Sequence, residues 1–189
     1  METITFPLVG EPLALDLVNT RPTTPDGTVD LIATSGGLAA WLAVQAHRLP
    51  TEPHQITAAE LADVLALREH ITTAINETRR GRRPPGAALQ ALTEAGASAP
   101  RRREIAWANG AVTVTPRRTG SAGQRLLADL ADAATELLTD PAVTTIRQCE
   151  GVGCSLLFLP SHPRRRWCSP QLCGNRTRVA RYYQRHKQT

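Results

Sequence analysis

The segment Ile146–Lys187 of this chain reads IRQCEGVGCSLLFLPSHPRRRWCSPQLCGNRTRVARYYQRHK. It holds all four cysteines of the protein, in two C-x4-C pairs that thirteen residues separate: Cys149, Cys154, Cys168 and Cys173. Two short turns that each carry a cysteine pair can bring four thiolates to one point, which is what a tetrahedral zinc ion requires. The spacing therefore predicts one structural Zn²⁺ with four thiolate ligands, in a segment too short to build a core of its own.

Two disulfide bonds and four free thiols are the alternatives for these cysteines. Disulfides persist in oxidising compartments, and the chain begins METITFPLVGEP, without the basic and then apolar residues of a signal peptide. We therefore favour zinc and expect a cytoplasmic location. His162 lies between the pairs and is a competing ligand, but four cysteines already complete the site. Gly151 and Gly153 permit the positive φ angles that a turn between ligands often needs.

The C-terminal part of the chain is strongly basic. From residue 145 onward it contains nine Arg or Lys residues and one acid, whereas residues 1–144 contain thirteen basic and sixteen acidic residues. The sequence TRVARYYQRHK predicts a helix with an arginine stripe on one side, whose other side packs on the run LLFL at Leu156–Leu159. A basic surface beside a zinc site is typical of phosphate contacts. The predicted nucleic-acid-binding residues are Arg164, Arg165, Arg166, Asn175, Arg176, Arg178, Arg181 and Arg185.

Other interpretations of this basic surface stay open. The arginines could dock on an acidic protein surface, with the zinc purely structural, and such a contact would also respond to salt. They could equally form a solvated face in an Arg-rich protein. Tyr182 and Tyr183 could stack on RNA bases, although we expect Tyr183 on the packing side of the helix.

Two stretches of the chain resemble known families. The pattern of C-x4-C, LLFL, RRRWCS and Cys-Gly-Asn-Arg at Cys173–Arg176 resembles the CGNR zinc finger over residues 145–189. The beginning of the chain, with Gly10, Leu13 and LDLVNTR at Leu15–Arg21, is similar to the ABATE domain that usually precedes this finger. The resemblance implies a bacterial, zinc-containing, DNA-binding transcription regulator. One departure is the loop Pro160–Pro163, which has no acidic residue where one is expected.

The rest of the sequence predicts an α+β fold, in which a mostly helical body with a β-hairpin precedes the small zinc module. The length of 189 residues and the apolar content of 41% allow one domain of ordinary size and one small domain. We place them at residues 1–144 and 145–189. No apolar run approaches the roughly 18 residues of a membrane span. We expect the body to sense a small-molecule effector or to form a homodimer.

Helices are predicted over LALDLVNT after Pro12, from Ser35, from the capping box Thr57–Glu60, and over residues 120–139. The dipeptide Asn109-Gly110 predicts a β-hairpin in EIAWANGAVTVTP. Its register places Trp107 opposite Val112 and Ile105 opposite Val114. Because all four side chains share one face, we expect that face to cover the core.

Arg68 lies in the middle of the apolar stripe of the third predicted helix. A buried guanidinium requires a partner, because an unpaired buried charge is costly, and Asp16 in the LDLVNTR segment is the candidate. The interpretations are a structural Arg–Asp pair, an Arg68 side chain that reaches the surface, and an anion-binding pocket formed by Asp16, Asn19 and Arg68. An enzyme is the class that the sequence supports least, since it has no nucleophile elbow, phosphate-cradling glycine motif or metalloprotease pattern.

Overall fold

Five α-helices and three small two-stranded sheets make up most of the described part of the protein. The computed structural model describes residues 5–24, 27–49, 54–176 and 178–179. The helices are α1 (Leu13–Val18), α2 (Ser35–Val44), α3 (Ala58–Thr78), α4 (Gly86–Ala97) and α5 (Ala122–Thr139). The sheets are antiparallel pairs: β1 (Thr23–Thr24) with β2 (Gly27–Thr28), β3 (Arg101–Ala108) with β4 (Ala111–Arg118), and β5 (Arg147–Gln148) with β6 (Leu157–Phe158). The predicted α+β class with a helical body is confirmed.

The core lies where α1, α3, α4 and α5 pack together. α1 is short but central: it contacts both α3 and α5, and its Leu15 and Leu17 are fully buried. The N-terminus of α3 is fixed by the predicted capping box, in which the Thr57 hydroxyl accepts from the Glu60 N–H at 3.2 Å and the Glu60 carboxylate accepts from the Thr57 N–H at 2.8 Å. The apolar stripes of α3 and α5 face each other across this core, as their helical periodicity predicts.

The β3–β4 hairpin forms with the predicted register but does not cover the core. Trp107 pairs with Val112 and Ile105 with Val114, around a turn in which Asn109 and Gly110 have φ angles of 53° and 77°, as a type I′ turn requires. The expectation that these four side chains face the core is wrong. Their exposed fractions lie between 55% and 73%.

The reason for this exposure is that only the base of the hairpin is attached to the helices. Arg118 at the end of β4 is half-buried, and its Nε donates to Asp129 of α5 at 2.6 Å while its Nη1 donates to the Ala99 carbonyl at 2.7 Å. Arg101 on the paired strand reaches Asp132 of α5 at 3.1 Å. Beyond this anchor, no other described helix or strand packs extensively on β3 or β4. The hairpin is therefore attached to the helices by polar contacts at its base, and it exposes one apolar face.

The β5–β6 hairpin joins the zinc module to the helical core. The run LLFL alternates between two environments, because successive side chains of a strand point to opposite faces. Leu157 is buried in the core formed by the helices, whereas Leu156 and Phe158 pack around the cysteines, together with Leu8 and Trp167. No helix in the described ranges is long and apolar enough to cross a membrane.

Candidate metal centre

The four predicted zinc ligands converge on one point. The Sγ atoms of Cys149, Cys154, Cys168 and Cys173 all lie within 4.8 Å of one another, and none of these four cysteines forms a disulfide bond. A tetrahedral Zn²⁺ with Zn–S bonds of about 2.3 Å places neighbouring sulfurs about 3.8 Å apart, so the cluster fits this ion. His162 makes a local contact instead, in which its Nδ1 accepts from the Arg164 N–H at 3.1 Å. The cysteines form a zinc-finger site for one structural Zn²⁺.

The first cysteine pair lies in the loop that connects β5 and β6, and Cys149 directly follows β5. The Cys149 N–H donates to the Leu156 carbonyl at 2.9 Å, and the Cys154 N–H donates to the Gly151 carbonyl at 3.0 Å, which closes the turn between the ligands. Gly153 has the predicted positive φ, at 69°. Gly151 is needed for a different reason: a Cβ at this position would lie 2.9 Å from Cys173 Sγ. A side chain at residue 151 would therefore collide with a zinc ligand.

The second cysteine pair is held by a short π-helical turn at Pro170–Gly174. The Ser169 hydroxyl caps this turn by accepting from the Gln171 N–H at 3.2 Å, and the Gly174 N–H donates to the Ser169 carbonyl at 3.0 Å. The two pairs are tied together by the Glu150 N–H, which donates to the Arg166 carbonyl at 3.0 Å. The ligand geometry is thus set by backbone hydrogen bonds.

Three N–H donors, two from the backbone and one from a guanidinium, point at the ligand sulfurs. The N–H groups of Gly151 and Cys168 lie 3.4 Å and 3.3 Å from Cys149 Sγ. Arg176 Nη2 lies 3.3 Å from Cys173 Sγ and 3.3 Å from the Val152 carbonyl. Donors of this kind favour the thiolate form and orient the ligands. The arginine of the Cys-Gly-Asn-Arg motif therefore supports the metal site directly.

The ionisation of the thiols also favours a cation at the centre of the cluster. The hydrogen bond with Cys168 lowers the pKa of Cys154 to about 5. The same hydrogen bond, burial and the charges of Cys149 and Cys154 raise the pKa of Cys168. Burial raises the pKa of Cys173 to about 11. Protein groups alone therefore keep part of the cluster protonated, and a divalent cation supplies the charge that four thiolates need.

The N-terminal segment binds the β5–β6 hairpin that carries the first cysteine pair, which we call the zinc hairpin, through two buried polar side chains. The Asn19 amide donates to the Leu157 carbonyl at 2.8 Å and accepts from the Leu157 N–H at 2.9 Å, so it satisfies the free edge of β6 as a neighbouring strand would. The Glu11 carboxylate accepts from the Leu159 N–H at 2.8 Å and from Arg165 Nη2 at 2.7 Å. Both contacts join residues more than a hundred positions apart, and sequence reasoning missed them.

Asp16 and Arg68 do not pair with each other, so the predicted partner of Arg68 is wrong. Arg68 donates through Nη1 and Nη2 to Asp30 at 2.8 Å and 2.5 Å. Asp16 is buried elsewhere, where it accepts from the backbone N–H groups of Gly10 at 2.9 Å and Glu11 at 3.2 Å and pairs with Arg48. Of the three residues predicted as an anion pocket, Asn19 and Arg68 line one cleft, and Asp16 instead orients the loop that carries Glu11.

The three arginines before Cys168 have different roles in the structure. The Arg165 guanidinium is bound to Glu11, to the Cys168 carbonyl at 2.6 Å and to the Leu159 carbonyl at 3.3 Å, and it lies 4.3 Å from the centre of the Phe158 ring. Arg166 donates through Nε to Glu150 at 2.6 Å. Arg164 is exposed, and its side chain makes no ion pair with the described residues. Arg165 thus fastens the finger to the N-terminal segment.

The start of the predicted basic helix is described only in part. Asn175 and Arg176 are helical and exposed, and Arg178 donates to Asn175 Oδ1 at 3.2 Å. Arg181, Tyr182, Tyr183 and Arg185 lie outside the described residues, so the stripe and its packing on LLFL stay predictions.

Comparisons with known proteins agree with this geometry. Residues 11–141 match the ABATE family, described as "Putative stress-induced transcription regulator", and residues 145–186 match the CGNR zinc finger. The first match covers more than half of the chain, and the second contains all four cysteines. Neither description names an enzyme. A search of curated proteins found no match.

Proposed function

The chain belongs to the ABATE family and carries a CGNR zinc finger, and we propose that it is a DNA-binding transcription regulator whose finger contacts DNA phosphates through arginines. The observation that carries the proposal is the segregation of charge, since nine basic residues and one acid follow residue 144. The zinc ion folds the module, because so short a segment buries little apolar area without it. Such a regulator acts in the cytoplasm of a bacterial cell.

The contacts of the arginines narrow the proposed DNA surface. Arg165 and Arg176 are occupied by Glu11 and by Cys173, and the single acid of the module, Glu150, is paired with Arg166. Arg164 and Arg178 are exposed and have no acidic partner among the described residues. We assign the phosphate contacts to these two and to Arg181 and Arg185, which continue the predicted stripe. Because few side chains are left to read base edges, specificity would come from DNA shape or from a dimer.

The test is binding to random duplex DNA over a range of salt concentrations. The variant R178Q/R181Q/R185Q removes three cations from the finger and should abolish binding at moderate salt. At low salt, the slope of log K against log salt should become shallower by up to about 2.7, because each phosphate contact contributes about 0.9. The matched control is R83Q/R102Q/R103Q, which removes the same charge from exposed positions outside the finger. Bound zinc should stay at one ion per chain in both variants.

Two outcomes would contradict the assignment. If the finger triple variant binds DNA as the parent does, the arginine stripe is not the DNA surface. If the zinc-loaded parent does not bind duplex DNA at low salt, the basic surface is better explained by docking on an acidic protein.

We also propose that the regulator is a homodimer that pairs through the apolar face of the β3–β4 hairpin. The face consists of Ile105, Trp107, Val112 and Val114, all more than half exposed. A patch of this composition offers roughly 500 Å² per copy, so two copies would bury about 1,000 Å², the lower limit of a specific interface. A two-fold axis brings the same patch of both copies together, and an entirely apolar face can pack against its own copy in this way.

Sedimentation equilibrium tests this proposal with a matched pair of variants. Trp107→Asp places a charge on the apolar face and should give a monomer, whereas Ala106→Asp places the same charge on the opposite face of β3 and should leave the dimer intact. A monomeric parent, or a dimer that survives Trp107→Asp, would reject the hairpin as the interface.

A further inference from the structure

A polar cleft lies where the helical body meets the zinc hairpin. Its volume is about 390 Å³, which is within the range of small-molecule sites. One wall is the C-terminal half of α3 with Arg79 and Arg80. A second consists of Val18, Asn19, Arg21, Thr23 and Thr28, and the third is the zinc hairpin, through Gln148, Ser155 and Leu157. A ligand in this cleft would touch both the body and the finger.

The cleft has an excess of positive charge that its own acids do not balance. Four arginines and one acid line it: Arg21, Arg68, Arg79, Arg80 and Glu69. Asp30 neutralises Arg68, and Glu69 accepts from Arg21 at 3.1 Å. Arg80 has only a distant contact of 3.9 Å with Glu77, which is already bound by Arg82 at 2.6 Å. Arg79 has no acidic partner among the described residues; its Nε donates to Asn76 Oδ1 at 3.0 Å.

Two further observations indicate that the arginines on the α3 wall of the cleft lack a polar partner. Burial and the neighbouring charge of Arg80 lower the pKa of Arg79, so this guanidinium is poorly compensated. Arg68 Nε is buried and has no hydrogen-bond partner, the single such side-chain atom in the described part of the chain. Buried polar groups are almost always satisfied, so this one points to a missing polar neighbour. Arg79 and Arg80 follow the C-terminus of α3, where positive charges interact favourably with the helix dipole. The helix dipole alone, however, explains neither the cleft nor the unpaired Nε of Arg68.

We propose that the cleft binds a small organic anion, through a carboxylate or phosphate group that Arg79 and Arg80 recognise, as an effector of the zinc finger. Guanidinium groups pair with both oxyanions in bidentate fashion. The hydroxyls of Thr72 and Ser155 and the amide of Gln148 also line the cleft and provide polar groups on the two opposite walls. An anion held between α3 and the zinc hairpin stabilises the docked finger. Binding of the anion to the cleft is independent of the proposed contact between the finger and DNA.

The test uses inorganic phosphate and succinate as probes of the zinc-loaded full chain, with sodium chloride at equal ionic strength as the reference. The variant is R79Q/R80Q. The matched control is R83Q/R102Q, which removes two exposed arginines that do not line the cleft. The parent and the control should gain about 3–6 °C in Tm at a probe concentration ten times the Kd, and the variant should lose this gain. The ³¹P line of phosphate should broaden with the parent and the control alone.

The control variant separates binding from a general effect of salts, since excluded anions such as phosphate stabilise most proteins. A response to one probe identifies the phosphate or the carboxylate as the recognised group, and a response to both identifies an oxyanion site. Equal Tm gains in all three proteins, or no gain of the parent with either probe, would overturn the proposal. If R79Q/R80Q does not fold, R79Q and R80Q are measured singly, and each should weaken the response.

Discussion

Replacing Asn19 by Ala should weaken the whole fold, because this side chain pairs with both backbone groups of Leu157 at the free edge of β6. The variant leaves the Leu157 N–H and the Leu157 carbonyl without the partners that now lie at 2.9 Å and 2.8 Å. Asn19 and Leu157 are both only 3% exposed, so water does not readily replace the amide. A buried backbone group that loses its partner costs about 1–3 kcal/mol. For the two groups together we expect a loss of about 2–4 kcal/mol in the free energy of unfolding.

The assay is urea unfolding in excess zinc, so that every variant stays metal-loaded during the measurement. Asn76→Ala is the matched control, since Asn76 is half-buried and accepts a single hydrogen bond, from Arg79. It should cost less than about 1 kcal/mol. Asn19→Asp keeps the acceptor for the Leu157 N–H but places a carboxylate oxygen against the Leu157 carbonyl. We expect it to destabilise the protein at least as much as Asn19→Ala at neutral pH.

The reasoning fails if Asn19→Ala costs less than about 0.5 kcal/mol, the value typical of surface substitutions. It also fails if Asn19→Asp is neutral, because the Asn19–Leu157 contact could not then be formed as the structure shows.

Two other predictions concern the metal site and the Arg68–Asp30 ion pair. Gly151→Ala should lower zinc affinity in a competition titration with a chelator, because its Cβ would lie 2.9 Å from Cys173 Sγ. Gly174→Ala should keep the zinc affinity of the parent even though it changes the Cys-Gly-Asn-Arg motif, since its Cβ would lie 3.5 Å from the nearest atom, the Ser169 carbonyl oxygen. Equal losses of zinc affinity in the two variants would contradict this account. The hydrogen bond from Arg68 lowers the pKa of Asp30, so the pair stabilises the fold above the carboxyl's ordinary pKa and is lost as pH falls through the lowered value. The difference in unfolding free energy between the parent and Asp30→Asn should therefore be largest near pH 7, at about 3–5 kcal/mol, and should shrink as the pH falls below about 4; a difference that stays constant with pH would exclude the pair as its source.

Local features of the sequence are sufficient for the zinc site and for much of the secondary structure. The C-x4-C pairs give the ligands, since four thiolates at this spacing have few other common uses. The capping box at Thr57 and the dipeptide Asn109-Gly110 give a helix start and a hairpin register, because both act through backbone groups within a few residues. These predictions concern interactions that the chain makes with its near neighbours.

The tertiary structure alone decides which surfaces meet and which polar groups pair. The alternation of side chains along β3 and β4 shows that Trp107 and Ile105 share a face with Val112 and Val114. Whether a helix covers that face depends on the position of α5 in the folded protein. Arg68 requires an acid, yet its choice of Asp30 over Asp16 is set by a contact across 38 positions. Glu11 and Arg165 meet across 154 positions. Periodicity and spacing contain no signal for such pairs, because they depend on the packing of the whole chain.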